Sequence, residues 1–133
     1  MTTIADCNLI NLPVIHDARG NLAFIQEGVL PFVFKRVYYL FDVPSTAYRG
    51  GHSHKEQHEV LIALSGSFEV VLNDGQSSKT VLLNKPNTGL HIPTGIWREL
   101  QNFSSGAVCL VLAQDVFEES DYIRDYQEFV ASK

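Results

Sequence analysis

The chain is poor in sulfur, with two cysteines and one methionine among 133 residues. Cys7 and Cys109 lie far apart, and Cys109 sits in the apolar run "AVCLVLA", so they read as two buried or incidental thiols rather than a disulfide framework. Basic charge is also scarce: ten Lys and Arg against fifteen Asp and Glu give a formal charge of −5. With no basic stripe to displace counterions, a nucleic-acid partner is not expected, although a few local arginines can still hold an anionic ligand. No apolar run approaches the length of a membrane span, and "MTTIADCNLINLPV" lacks a basic segment followed by an apolar one, so a cytoplasmic location is expected. Low-complexity stretches and internal repeats are absent as well.

What is present is an ordinary globular composition, 45% hydrophobic and 19% charged, enough for one domain over residues 1–133. That reading is equally compatible with a free-standing protein and with one domain of a larger bifunctional enzyme. Short segments rich in Val, Ile, Phe, Tyr and Leu recur: "NLAFIQ", "FKRVYYLFDV", "HEVLIALSGSFEVVLNDG", "KTVLLN", "LHIPTGIWRELQNF" and "AVCLVLAQD". Turn clusters such as "DARGN", "NDGQS" and "NKPNTG" separate them. The pattern predicts an all-β fold, a small sandwich or jelly-roll barrel, with a hairpin turning at Asn73-Asp74-Gly75. Only the tail "EESDYIRDYQEFVASK" is expected to be helical, since Tyr122, Tyr126 and Phe129 are spaced by four and three.

The stretch "RGGHSHKEQHEVLIALSG", residues 49 to 66, carries the chemistry. Side chains alternate faces on a strand, so His52 and His54 project the same way and Ser53 the other. His58, in "KEQHE", reads as solvated, and His16 and His91 have no comparable context. The spacing His52-x-His54-x4-Glu59-x6-Gly66 resembles the first motif of the cupin superfamily of metal-binding barrels, with Thr46 where that motif has its first glycine. "PTGIWRELQN" resembles the second cupin motif through Pro93, Gly95 and Asn102, but Arg98 occupies the position of its histidine. A guanidinium has five donors and no lone pair, so Arg98 cannot ligate a cation. No metal is therefore expected, and Glu59 gains an alternative task as ion-pair partner of Arg98. Two same-face histidines without a metal suit proton transfer, because imidazole titrates near neutrality and close neighbours push each other's pKa apart.

A narrower resemblance rests on "KRVYYLFDV", "RGGHSHKEQHEVLIALSGSFEVVLNDG", "GIWREL", "FSSGAVCLVLAQD" and "DYIRDY". Together, from about Ile15 to Phe129, they resemble the dTDP-4-keto-6-deoxyglucose 3,4-ketoisomerases, a branch of the cupins. The resemblance implies a cupin jelly roll, a homodimer, no cofactor, and a dTDP-linked 4-keto-6-deoxy sugar as substrate, in deoxysugar supply for surface polysaccharides or antibiotics. It implies that His52 and His54 are the acid and base, in an order the residues do not fix. Arg19, Arg36, Tyr38, Arg49, Arg98 and Arg124 are the candidate substrate-binding groups: donors to a developing enediolate, or guanidinium partners for a diphosphate. Arg36 and Tyr38 share one face of their strand, expected to line the cavity, with Val37, Tyr39 and Phe41 outside or at a subunit contact. Arg124 also has a simple surface role open to it, pairing with Asp121 or Glu128. Arg98 and Glu59 depart from a common family pattern of histidine and glutamine, which leaves the C4 configuration of the product open. Two other readings stand beside this one: an epimerase of the same nucleotide sugar, and a metal-binding or sugar-sensing cupin without catalysis.

Overall fold

Alternating apolar and polar side chains set the architecture. In the computed structural model, which describes residues 1–133, the chain forms β1 (Asn8–Asn11), β2 (Val14–Asp17), β3 (Gly20–Ala23), β4 (Arg36–Leu40), β5 (Arg49–His54) and β6 (Glu59–Ser65). These are followed by β7 (Phe68–Asn73), β8 (Ser78–Leu83), β9 (Thr88–Ile92), β10 (Trp97–Gln101), β11 (Val108–Ala113), β12 (Tyr122–Ile123) and one helix, α1 (Tyr126–Ala131). Two five-stranded antiparallel sheets, β1-β9-β6-β11-β4 and β12-β5-β10-β7-β8, face each other, and β2-β3 forms a separate hairpin. This is the all-β cupin jelly roll expected from the sequence.

β7 shows the driving pattern most clearly. Phe68, Val70 and Leu72 have no exposed surface, while Glu69, Val71 and Asn73 lie on the other face, half-buried. Full burial of such side chains is worth about 1.5–3 kcal/mol each before entropy is charged against it. They meet Leu61, Leu90, Ile92, Leu100 and Val111 in the principal core between the sheets, where Phe68 stacks on Phe103 at 5.1 Å. The hairpin at Asn73-Asp74-Gly75 forms as expected, with Gly75 at φ +95°. Both cysteines are buried and free.

β6 breaks the simple alternation, because Glu59 through Ala63 are buried on both faces. Glu59, Leu61 and Ala63 point between the sheets; Val60 and Ile62 pack outward beneath Leu12, Leu30, Phe32 and Phe34. That covering layer stops short of β4, the edge strand, where Val37, Tyr39 and Phe41 stay exposed.

Two elements differ from the sequence expectation. "LHIPTGIWRELQNF" is two strands rather than one: the chain turns at Pro93-Thr94-Gly95, with Gly95 at φ +75°. The tail is α-helical only from Tyr126, with a single 3-10 turn at Glu119–Asp121 before it. Tyr122 lies instead on β12, which pairs with β5 through Tyr122↔His54 and Ile123↔Ser53. Asp125 caps α1 by accepting from the Glu128 N–H, and Phe129 anchors the helix against Trp97 and Ile123 on the outside of β10.

Candidate active site

β5 delivers the histidines through a local irregularity. Pairing to β10 matches Arg49↔Leu100, Gly50↔Glu99 and His52↔Arg98, so Gly51 is an extra residue, a β-bulge. Leu100 and Arg98 point into the barrel, so their partners Arg49 and His52 do too; regular alternation would place those two on opposite faces. The bulge needs the left-handed region at consecutive positions, Gly50 at φ +83° and Gly51 at φ +66°. A side chain at Gly50 would bring its Cβ to 3.0 Å from the Arg98 carbonyl oxygen. The Arg-Gly-Gly-His sequence therefore aims a cation and an imidazole into one cavity.

His52 and His54 converge as the strand period requires, Nε2 to Nε2 at 3.1 Å with the rings almost perpendicular. His52 lines the cavity, whereas His54 lies behind it with no exposed surface. The other nitrogen of His54, Nδ1, is 2.9 Å from Asp121 Oδ2. Tyr122 packs against both imidazoles, its ring centre 5.0 Å from His52 and 4.4 Å from His54. Burial, helped by the Arg98 and His54 charges and opposed by Glu59, lowers the His52 pKa to about 3. His52 is thus neutral at physiological pH, the form that can accept a proton.

Below the pair lies a buried ionic network. Arg98 Nη1 donates to Glu59 Oε1 at 2.6 Å, and its other nitrogens donate to the Ile96 carbonyl. The second carboxylate oxygen, Glu59 Oε2, accepts from the Tyr38 hydroxyl at 2.8 Å and from Gln57 Nε2 at 3.1 Å. Burial alone raises the Glu59 pKa, but His54, Arg98 and Tyr38 outweigh it and hold the carboxyl below its ordinary range. Burial and the Glu59 charge push the Tyr38 phenol up, which keeps it a neutral donor.

The cupin fold implies a cation here, and His52, His54 and Glu59 do bring one potential ligand atom each within 4.8 Å of one another. They do not fit a metal. Both Glu59 oxygens are committed to donors, and the nearest of these is the permanent positive charge of Arg98. The ion pair that the sequence offered as the alternative task for Glu59 is the one observed.

The cavity, about 410 Å³, lies within the range of small-molecule sites. Arg36, Tyr38, Arg49, Arg98 and Arg124 all line it, together with Tyr48 and Tyr122. Arg98 is neutralised by Glu59, and Arg124 is held by Glu119 at 2.7 Å while its guanidinium lies 4.3 Å from the centre of the Tyr122 ring. Arg36 and Arg49 have no carboxylate partner; Arg36 touches the Tyr122 hydroxyl at 3.3 Å, and its Nε makes no hydrogen bond. Two uncompensated guanidiniums, one from each sheet, make the cavity anion-attracting in an acidic chain.

Arg19 is the exception among the expected residues. It sits on the β2-β3 turn, its side chain 90% exposed, and Asp17 two residues away holds its guanidinium at 2.7 Å. Arg19 is not among the residues that line the cavity. His58 is not simply solvated either: its Nδ1 lies 3.0 Å from His91 Nε2 in a half-buried pair beside Phe32, away from the cavity. Arg124 pairs with Glu119 rather than with Asp121 or Glu128. The sequence places Tyr122 on a helix face and offers Asp121 as a partner for Arg124. Their contacts with the histidines arise because "DYIR" returns to pair with β5, a long-range event with no local pattern.

Comparison with known proteins decides the lineage. Residues 5–133 match the family model described as WxcM-like, C-terminal (FdtA). The chain belongs to this family. It is 43% identical over 122 residues to the TDP-4-oxo-6-deoxy-alpha-D-glucose-3,4-oxoisomerase of Aneurinibacillus thermoaerophilus, covering 91% of this chain and 88% of the relative. A 3,4-ketoisomerase from Helicobacter canadensis superposes with a TM-score of 0.93 at 46% identity, over 96% of each chain. QdtA, a sugar 3,4-ketoisomerase from Thermoanaerobacterium thermosaccharolyticum solved in complex with TDP, superposes with a TM-score of 0.95 at 40% identity, over 98% of this chain and 96% of its own. A histidine-to-asparagine mutant of QdtA has been solved with TDP-4-keto-6-deoxyglucose.

Proposed function

We infer that this chain is a sugar 3,4-ketoisomerase that moves the carbonyl of a TDP-4-keto-6-deoxyhexose from C4 to C3. The observation that carries this reading is the His52–His54 contact at the wall of an arginine-lined cavity, in a chain whose relatives are named for this reaction.

The chemistry needs one route for protons and no net oxidation. A base removes the C3 proton, the C3–H electron pair becomes the C3–C4 double bond, and the former C4 carbonyl oxygen takes up a proton to give an enediol. The C3 hydroxyl then releases its proton, C3 becomes the carbonyl carbon, and C4 accepts a proton. His52 is the base in this reading, because it is the member of the pair that lines the cavity, and burial keeps its ring neutral until it takes the proton. His54, 3.1 Å behind it, exchanges protons with it. Arg36 and Arg49, free of carboxylates, take the diphosphate, and Arg124 closes on the sugar nucleotide from the Tyr122 side. Arg98, paired with Glu59, offers the enediolate the oriented N–H edge of a guanidinium at the cavity wall, not a net charge.

We further propose that two copies associate through the uncovered face of β4, and that the protein works in the cytoplasm beside its nucleotide-sugar supply. No helix is long and apolar enough to cross a membrane.

The test is proton NMR of TDP-4-keto-6-deoxyglucose incubated with the protein in deuterated water. A 3-keto product carrying deuterium at C4 is expected, and its couplings read out the C4 configuration. Deuterium at C3 with the C4 ketone retained would make the protein an epimerase. Binding without exchange would make it a sugar sensor.

A further inference from the structure

Asp121 is not needed to explain substrate binding, yet it is tied more closely to the histidine pair than any other carboxylate, Glu59 included, which comes no nearer than 3.6 Å. Its Oδ2 lies 2.9 Å from His54 Nδ1, and its Oδ1 accepts from the Glu56 main-chain N–H at 2.7 Å. Its own carbonyl accepts from the Lys55 N–H at 3.0 Å. Two bonds to the carboxylate and one to the main chain therefore fix Asp121 at the end of β5, and its side chain is only 15% exposed.

From this arrangement we propose that Asp121 is a positioning residue for the isomerisation: it holds His54 with the proton on Nδ1 and so turns the Nε2 lone pair toward His52. The inference rests on the ketoisomerase reading for its kinetic consequence, but not for its geometry. Both carboxylate oxygens are acceptors, so the nitrogen facing Asp121 must be the donor, and in the neutral ring the nitrogen facing His52 must be the acceptor. His52 Nε2–H then donates across the 3.1 Å contact. When His52 takes a proton from the sugar on Nδ1, its remaining lone-pair nitrogen and one with no hydrogen-bond partner in the structure, its Nε2 proton passes to His54, and the resulting imidazolium lies between the Asp121 carboxylate and Glu59, whose Oε1 is 3.6 Å from His54 Nε2. Return of that proton reverses the charge separation, and atoms and charge balance over the cycle.

Asp121→Asn separates this role from a purely structural one. The Glu56 N–H is a fixed donor, so the asparagine oxygen must stay on it, and the amide N–H2 then faces His54 Nδ1 and forces the opposite tautomer. The experiment measures kcat, KM and TDP affinity of Asp121→Asn, together with ring 15N NMR of His54 in the parent and the variant. The expected result is a kcat lower by about 100-fold or more, KM and TDP affinity within about threefold of the parent, and the ring proton moved from Nδ1 to Nε2. A kcat within twofold of the parent, or a loss of TDP affinity as large as the loss of kcat, overturns the proposal. If Asp121→Asn does not fold, the parent spectrum decides: a His54 protonated at Nε2 and bare at Nδ1 near pH 7 overturns it, and a proton on Nδ1 upholds it. Failure of the ketoisomerase reading is distinct, because then the parent itself leaves TDP-4-keto-6-deoxyglucose unchanged while the tautomer stays measurable.

Discussion

Arg98 Nη1 and Glu59 Oε1 lie 2.6 Å apart, with both side chains all but completely withdrawn from water. Such a pair contributes little net stability as a unit, since desolvation offsets much of the attraction, but removing one partner strands the other. Glu59→Ala is expected to destabilise the fold by about 3–5 kcal/mol, measured by urea denaturation. Glu59→Ala combined with Arg98→Met should recover at least half of that loss. A single variant within about 1 kcal/mol of the parent would mean that water reaches the Arg98 guanidinium.

The same ion pair governs metal dependence. A dication at His52, His54 and Glu59 would have to displace Arg98 from its carboxylate or sit beside it. Dialysis against a strong chelator should leave the isomerisation rate within twofold of the untreated protein, and added ferrous iron or zinc should not raise it. Loss of activity on chelation, restored by either metal, would sink this prediction and require Arg98 to move.

How far these features were legible in the sequence depended on the range of the interactions behind them. His52 and His54 could be paired in advance because strand geometry has a period of two, and Arg98 could be refused as a ligand from its chemistry alone. The β-bulge at Gly51 could not be placed, since Arg-Gly-Gly fits a turn as well as a strand until its partner Arg98 is in register. Asp121 reaches His54 across 67 positions, and no local pattern announces such a contact. Tyr122, Tyr126 and Phe129 have genuine helical spacing, yet pairing with β5 took Tyr122 into a strand, an override of local pattern by tertiary pairing. Arg19 lies on the β2-β3 turn beside Asp17 and off the cavity lining, a placement set by where that hairpin sits in the fold rather than by anything in "DARGN".

His52 makes stability depend on pH. Its folded pKa, about 3, lies below the ordinary value of 6.5, so between these values the unfolded chain binds more protons than the folded one. Stability is therefore fully present above pH 6.5 and is lost as pH falls toward 3, at up to about 1.4 kcal/mol per pH unit from this residue. The half-buried His58 and His91 pKa values are also lowered, chiefly by burial, and act in the same direction. Denaturation midpoints measured from pH 8 to pH 4 should fall, and His52→Gln should flatten part of that fall. An unchanged slope in the variant would show that His52 already carries its proton in the folded state.

For the reaction itself, His52→Asn should bind TDP within about threefold of the parent while kcat drops by about 100-fold or more. Arg36→Met or Arg49→Met should instead weaken TDP binding, and with it raise KM, because those guanidiniums lack carboxylate partners and are available to phosphate oxygens. Titration calorimetry with TDP separates the two classes. A His52→Asn protein that turns over at the parental rate would remove this residue from the chemistry.

The edge of the first sheet carries the last prediction. β4 hydrogen-bonds to β11 on one side only, so its other side offers unpaired main-chain groups. Its outward row, Val37, Tyr39 and then Phe41 just beyond the strand, is about half or more exposed, and Tyr39 packs against Phe41 at 6.0 Å. An apolar row along an open strand edge is costly to leave in water and invites pairing, and a second copy, carrying the same row, matches it under two-fold symmetry. Light scattering coupled to size exclusion should give twice the mass of the chain for the parent, and a single-chain mass for Val37→Glu/Tyr39→Glu. These side chains point away from His52, so the variant should keep its fold by circular dichroism. A parent that runs at the single-chain mass, or a double variant that still runs at twice that mass, would place the contact elsewhere or remove it.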